Sequence, residues 1–117
     1  MEGYLVILHM PTFLLISRHS PESCWMFNEK TRQIHLDLLN KLESLMKKYN
    51  IKMLGAWFVL PEHTLYEVFD APGLDVFQKM AMEPEILRWS AFNTMEMKLV
   101  ATVDDVKRLL AQPVHQG

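Results

Sequence analysis

The sequence is poor in cysteine, in glycine and in clustered charge. The chain of 117 residues contains one cysteine, Cys24, and four glycines. One cysteine excludes an intrachain disulfide and fits a reducing compartment, so we expect a cytoplasmic protein. Twelve Lys and Arg against 14 Asp and Glu give a net charge of -2, with no basic block. Because phosphate contacts need clustered Lys and Arg, nucleic acid is not an expected partner.

A hydrophobic run long enough to cross a membrane is also missing. The apolar stretch from Tyr4 to Ile16 is interrupted by His9 and Pro11, and it lacks a basic start and a small-residue cleavage site. It is too short for a membrane span and does not resemble a targeting signal. We therefore expect an N-terminal extension over residues 1–9, a single domain over residues 10–110 and a flexible tail over residues 111–117.

What the sequence does contain is an ordered alternation of strand-like and helix-like segments. Half of the residues are apolar, as in globular proteins. Apolar periodicity and capping residues predict strands at 12–18, 51–60, 63–70 and 93–101, and helices at 30–49, 74–82, 84–89 and 103–110. The order predicts an α+β, ferredoxin-like βαββαβ fold. Its antiparallel four-stranded sheet has the order 4-1-3-2, and an extra C-terminal helix follows.

Both faces of this sheet are predicted to be apolar. Only the fourth strand alternates cleanly between apolar and polar residues, whereas the other three carry apolar residues on both sides. Soluble monomers rarely expose a patch of this kind. We therefore expect a homodimer through the open sheet face, forming a dimeric α/β barrel. Cover by the terminal helix and the N-terminal extension is the alternative.

The predicted topology draws attention to the stretch "RHSPESC" at residues 18–24. His19 ends the first strand, while Glu62 and His63 begin the third, and these strands are neighbours. We therefore expect His19, Glu22, Cys24, Glu62 and His63 to converge at one edge of the sheet. The second helix is expected to end at the same edge. That placement would add three further residues, Glu83, Glu85 and Trp89.

Three chemistries are compatible with this group. Two imidazoles with a thiolate or carboxylate bind divalent transition metals such as zinc, nickel or iron, so a metal held by His19, His63 and Cys24 is one expectation. A reactive thiol in the first turn of a helix, and a His–Glu acid–base pair beside an apolar pocket, are the others. Structural roles compete with all three, because these residues also suit strand ends and helix caps. His35 is expected to lie off the apolar stripe of the long helix, in solvent.

The same residues carry a resemblance. "RHSPESC" followed by "LGAWFVLPEHTLYEVFDAP" resembles an uncharacterised family of short prokaryotic proteins in the dimeric α/β-barrel, ferredoxin-like superfamily. The resemblance covers about residues 10–106 and implies that fold, but no specific activity. Trp25 stands where members of the family often have proline. The shared pattern comprises His19, Pro21, Glu22, Cys24, Glu62, His63, Thr64 and Tyr66.

The sequence as a whole favours a small cytoplasmic homodimer whose pocket binds a small molecule or a metal. His19, Cys24 and His63 would bind or react, with Glu22 and Glu62 orienting them. One alternative is a cofactor-less or metal-dependent monooxygenase or isomerase acting on a small organic substrate. The other is a purely structural dimeric module, and the sequence leaves open whether the protein is an enzyme.

Overall fold

The protein folds into one four-stranded antiparallel sheet with helices on one face. The computed structural model describes residues 10–114. Its strand order, β2-β3-β1-β4, is the predicted one, so the ferredoxin-like topology with a C-terminal helix is confirmed. The predicted extension over residues 1–9 lies outside the described residues. The strands are β1 (Thr12–Arg18), β2 (Lys52–Val59), β3 (Thr64–Asp70) and β4 (Thr94–Val100), and the helices are α1 (Glu29–Lys48), α2 (Leu74–Met80), α3 (Pro84–Ser90) and α4 (Val103–Leu110).

The hydrophobic core lies between the sheet and the helices. β1 is central, and it pairs with β3 from Thr12↔Asp70 to Arg18↔Thr64 and with β4 along its other side. Alternate residues of β1 and β3 therefore face the helices. Their side chains join those of α1, α2 and α3 in a single buried cluster. Its members are Phe13, Leu38, Leu45, Ile51, Leu65, Phe69, Ala71, Met80 and Trp89.

The segment between β1 and α1 is held by two successive caps. Ser20 accepts a hydrogen bond from the Ser23 amide and begins a 3-10 turn at Pro21–Ser23, as its Ser-Pro sequence predicts. Asn28 then caps α1, because its Oδ1 accepts from the Thr31 amide at 3.1 Å. The Asn28 Nδ2 donates to the Glu22 carbonyl at 3.0 Å. One side chain therefore ties the 3-10 turn to the start of the helix.

The expectation that His35 lies in solvent is wrong. Its side chain is 8 % exposed, and it belongs to the buried side of α1 together with Thr31, Leu38 and Leu45. The buried side is rotated by about one residue from the predicted stripe, so Leu39 is half exposed instead. His35 tolerates burial because the Trp89 Nε1 of α3 donates a 3.1 Å hydrogen bond to its Nδ1.

A β-bulge in β2 changes which side chains face the helices. Strict alternation would place Met53 on the same face as Trp57. The register instead shifts between Met53 and Gly55, and Met53 joins the helix-facing side, where it packs on the core. On the open face, the Trp57 indole lies over Gly55, where a Cβ would come within 2.8 Å of its Cζ2. Glycine is required here by this close approach.

The C-terminal helix leaves its apolar side exposed. Thr102 and Asp105 form a capping box at the start of α4. Val103, Leu109 and Leu110 are nevertheless more than half exposed. α4 therefore does not bury the open sheet face with its apolar side. Within residues 10–114, no helix combines the length and the apolarity that crossing a lipid bilayer requires.

We expect Asn28→Ala to lower the free energy of unfolding by about 1 kcal/mol, because it removes the α1 cap and the link to Glu22. Asn40→Ala is the matched control, since Asn40 is exposed in the middle of α1 and alanine is the better helix former there. Urea unfolding of both variants measures the difference. Equal stability of the two variants would contradict the capping role.

Candidate functional site

The pairing of β1 with β3 places His19 beside His63. β1 ends opposite the start of β3, and the His19 amide donates to the His63 carbonyl at 3.2 Å. His63 closes a 3-10 turn at Leu60–Glu62 and adopts a left-handed backbone conformation (φ 52°, ψ 41°) that is uncommon for residues other than glycine. The two imidazole rings meet edge to face, with centroids 5.3 Å apart. The strand pairing thus brings two metal-binding side chains together, as the sequence predicts.

Cys24 joins them from the turn that follows β1. Its amide donates to the Pro21 carbonyl at 3.2 Å, and its carbonyl accepts from the amides of Phe27 and Asn28 at 3.0 and 2.9 Å. These bonds fix the backbone on both sides of the thiol, and the side chain is only 2 % exposed. Cys24 therefore does not lie in the first turn of a helix, contrary to the premise of the reactive-thiol hypothesis.

The three side chains form a compact set of possible metal ligands. One ligand atom from each of His19, Cys24 and His63 lies within 4.8 Å of the other two. The His19 Nε2 and the His63 Nδ1 are buried and have no hydrogen-bond partner among the described residues. A buried polar group without a partner typically costs about 1–3 kcal/mol. The three residues could therefore hold a metal ion.

The surroundings of the cluster favour the neutral form of His19. Burial lowers the pKa of His19, and the neighbouring His63 lowers it further. A cavity of about 10 Å³ adjoins the cluster, and its apolar lining includes Met26 and Phe58. Because a metal binds the unprotonated imidazole, a lowered pKa keeps His19 ready to bind at neutral pH.

An aromatic layer formed by Trp25, His35 and Phe58 lies next to the cluster. Trp25 stacks on His35 with ring centroids 5.2 Å apart, and Phe58 meets both rings edge to face. Since the His35 Nδ1 accepts from Trp89, its proton must be on Nε2. Burial lowers the pKa of His35, with a smaller contribution from His19. Trp89 therefore lies near the predicted edge, but it contacts His35 rather than the cluster.

The acidic residues of the predicted group are placed differently. The side chains of Glu22 and Glu62 are exposed and are not part of the compact set, so their orienting role stays a prediction. Glu83 was expected at this edge, but its Oε1 accepts from the Lys48 Nζ and the Tyr49 hydroxyl at the opposite end of α1. The expectation is wrong because the predicted second helix ends at Met80, before Glu83, and the chain reaches the edge only after α3, where Thr94 of β4 pairs with Arg18. Glu85 follows Glu83 by two residues and lies in the first turn of α3.

Glu67, which is not among the predicted site residues, is buried in the middle of β3. The side chain is 8 % exposed and faces the helices between Leu65 and Phe69. Burial raises its pKa from 4.5 to about 7, and no charged neighbour contributes to the shift. The alternation of β3 already places position 67 on the core side. A charged residue at a core position is therefore the feature of the sequence that indicates an unusual buried group.

Comparison with known proteins adds no relative. None of the protein-family models matches the chain, and no curated protein matches it. Of the fold implied by the resemblance, the ferredoxin-like βαββαβ topology is confirmed, whereas the dimeric barrel and membership of the uncharacterised family stay predictions.

We expect Glu67→Gln to stabilise the protein at high pH. Because the folded-state pKa is raised to about 7, the wild type loses stability as pH rises from about 4.5 to 7, where only the unfolded chain has released the proton. The neutral amide removes this loss. The stability gain should grow by about 3 kcal/mol between pH 4 and pH 8, measured by urea unfolding.

Glu96→Gln is the matched control for the pH series. Glu96 is an exposed carboxylate on the opposite face of the sheet, and its loss changes the net charge equally. Its stability difference should stay small at every pH. A gain in Glu67→Gln that does not depend on pH would refute the burial of a titrating carboxyl.

Proposed function

We propose that the protein binds one thiophilic divalent metal ion, with zinc as the best match, through His19, Cys24 and His63. Two observations carry the proposal. One ligand atom from each of the three residues lies within 4.8 Å of the other two, and each imidazole has a buried nitrogen with no hydrogen-bond partner among the described residues. Zinc takes Cys sulfur at about 2.3 Å and His nitrogen at about 2.0–2.1 Å. A tetrahedral site therefore needs the ligand atoms roughly 3.3–3.6 Å apart. Movements of about 1 Å, within the reach of side-chain rotation, would close the set.

Metal binding accounts for the cluster better than nucleophilic catalysis. A nucleophilic cysteine has to meet its substrate, whereas Cys24 is 2 % exposed. The two imidazoles also lack a carboxylate that would orient one of them as a base, because Glu22 and Glu62 are exposed. A bound cation instead uses all three groups at once. It would take the thiol as a thiolate and release its proton.

Three protein ligands leave a fourth position for water or for an organic ligand. Structural zinc sites usually have four protein ligands, whereas sites with three keep one position open for chemistry. The cavity beside the cluster, between Met26, Phe58 and Leu60, has a volume of about 10 Å³, which is room for about one water molecule. The proposal is therefore a metal site whose fourth position is open to water.

We expect the protein, after metal-free preparation and refilling with Zn²⁺, to retain one ion per chain by elemental analysis. With Co²⁺ as the probe, visible absorption bands should indicate tetrahedral coordination, and the thiolate-to-cobalt band should be lost in Cys24→Ser. His19→Ala and His63→Ala should each reduce the affinity at least tenfold, because two ligands remain.

Glu43→Gln is the matched control for the metal experiment. Its carboxylate is exposed on α1 and is not part of the cluster, so its removal should change the affinity less than twofold. Failure of the folded wild type to retain Zn²⁺ or Co²⁺ would overturn the proposal. An affinity unchanged in both histidine variants would overturn it as well.

We further propose a homodimer that packs through the open sheet face. Trp57, on that face, is 59 % exposed, and Leu14, Tyr66 and Val68 line the same surface. α4 does not provide the cover, because its own apolar side is exposed. A second copy brings the same surface and can bury both at once. The free thiol of Cys24 agrees with the proposed cytoplasmic location.

We expect sedimentation at micromolar concentration to give a dimer, and Trp57→Glu to shift it to a monomer. A charge within a buried apolar interface is strongly unfavourable. Leu36→Glu is the control, because Leu36 is a similarly exposed apolar residue on α1, away from the open face. Circular dichroism confirms that both variants fold. A monomeric wild type would refute the dimer.

A further inference from the structure

A second and much larger cavity lies between the sheet and the helices. Its volume is about 410 Å³, within the range of roughly 300–1,000 Å³ that is typical of small-molecule sites. All four strands contribute to its walls, together with α1, α2 and α3. The walls are mostly aliphatic and aromatic, with Leu15, Leu42, Phe77 and Met97 among them. The cavity can hold a molecule of about two fused rings, and its walls favour an apolar one.

The cavity contains one carboxylate. Glu67 lines it from the middle of β3, opposite Ala56 of β2 and Leu15 of β1. Its side chain is more than nine-tenths buried, and no hydrogen bond or ion pair to it is present among the described residues. The other polar lining groups are His35, whose Nδ1 is occupied by Trp89, and Gln78.

An unpartnered carboxylate in an apolar cavity is a costly arrangement. Buried carboxylates in proteins are usually paired or hydrogen-bonded, and those that are not have their pKa raised, as that of Glu67 is. Leucine or valine would fill this core-facing position of β3 without the cost. The retained charge therefore indicates a partner that arrives from outside the chain.

The charge of the carboxylate sets the chemistry of that partner. An anionic ligand would be repelled, and a purely apolar one would leave Glu67 unpaired. A protonated amine both neutralises the carboxylate and donates hydrogen bonds to it, which is the stronger, charge-assisted kind. We propose that this cavity binds a small, mostly apolar molecule that carries one amino group, with the ammonium group bound by Glu67.

This second site is separate from the metal cluster but adjoins it. Phe58 lines both the large cavity and the small cavity beside His19, Cys24 and His63. The bound amine would therefore lie one aromatic layer away from the proposed metal. The inference does not depend on the metal, because none of its contacts involves the three ligands.

The test uses 2-naphthylmethylamine as a fluorescent probe at pH 8, where Glu67 is largely ionised. We expect saturable binding to the wild type. Glu67→Gln should weaken binding at least tenfold, about 1.4 kcal/mol. Glu96→Gln should change it less than twofold, because Glu96 lies on the opposite face of the same sheet. Ala56→Phe, which places a ring beside Glu67, should abolish binding.

A ligand series tests the carboxylate without any substitution. Wild-type protein should bind 2-naphthylmethylamine more tightly than 2-naphthylmethanol, and 2-naphthoate least of all. The inference is overturned if the wild type shows no saturable binding, if the three probes bind equally, or if Glu67→Gln binds the amine as tightly as the wild type. Zn²⁺ retention by Glu67→Gln should be unchanged, which separates this outcome from failure of the metal site.

Discussion

The pairing of β1 with β3 is the interaction on which the rest of the molecule depends. Seven consecutive residue pairs fix the register, from Thr12↔Asp70 to Arg18↔Thr64. A slip of one residue would turn every side chain of β3 to the other face. It would remove Leu65 and Phe69 from the core, and it would separate His63 from His19. The same register that builds the core therefore also builds the candidate metal site and places Glu67 in the large cavity.

That register leaves several polar groups buried without partners. The His19 Nε2, the His63 Nδ1 and the Ser17 Oγ all lack a hydrogen-bond partner among the described residues. Native proteins satisfy nearly all such atoms. Ser17 and His19 are two residues apart at the end of β1, and His63 lies across the pair, so the unsatisfied groups concentrate where β1 meets β3. A structural role alone does not explain this concentration, because alanine or leucine would avoid the cost. The proposed metal would explain it for the two imidazoles.

Local sequence was sufficient for the order of elements and for the cluster. Caps such as Asn28 and the Thr102–Asp105 pair mark helix starts within a few residues, and the strand order brings His19, Cys24 and His63 together. The burial of His35 could not be predicted from local sequence. Its partner Trp89 is 54 residues away, and the buried side of α1 differs from the predicted stripe by about one residue. The position of Glu83 could not be predicted either, because it depends on the residue at which α2 ends. The burial of Glu67 can be predicted from the sequence, since strand alternation places it on the same face as Leu65 and Phe69.

The aromatic layer between the two cavities explains how they coexist in so small a domain. The cluster offers a thiol and two imidazoles, while the large cavity offers a carboxylate, so both are suited to positive charge. Direct contact between a metal ion and an ammonium group would be repulsive. Trp25, His35 and Phe58 separate them, and His35 is held neutral by burial and by the hydrogen bond from Trp89. The three possible metal ligands and Glu67 line different cavities, so in the proposed arrangement each cation would have its own ligand atoms.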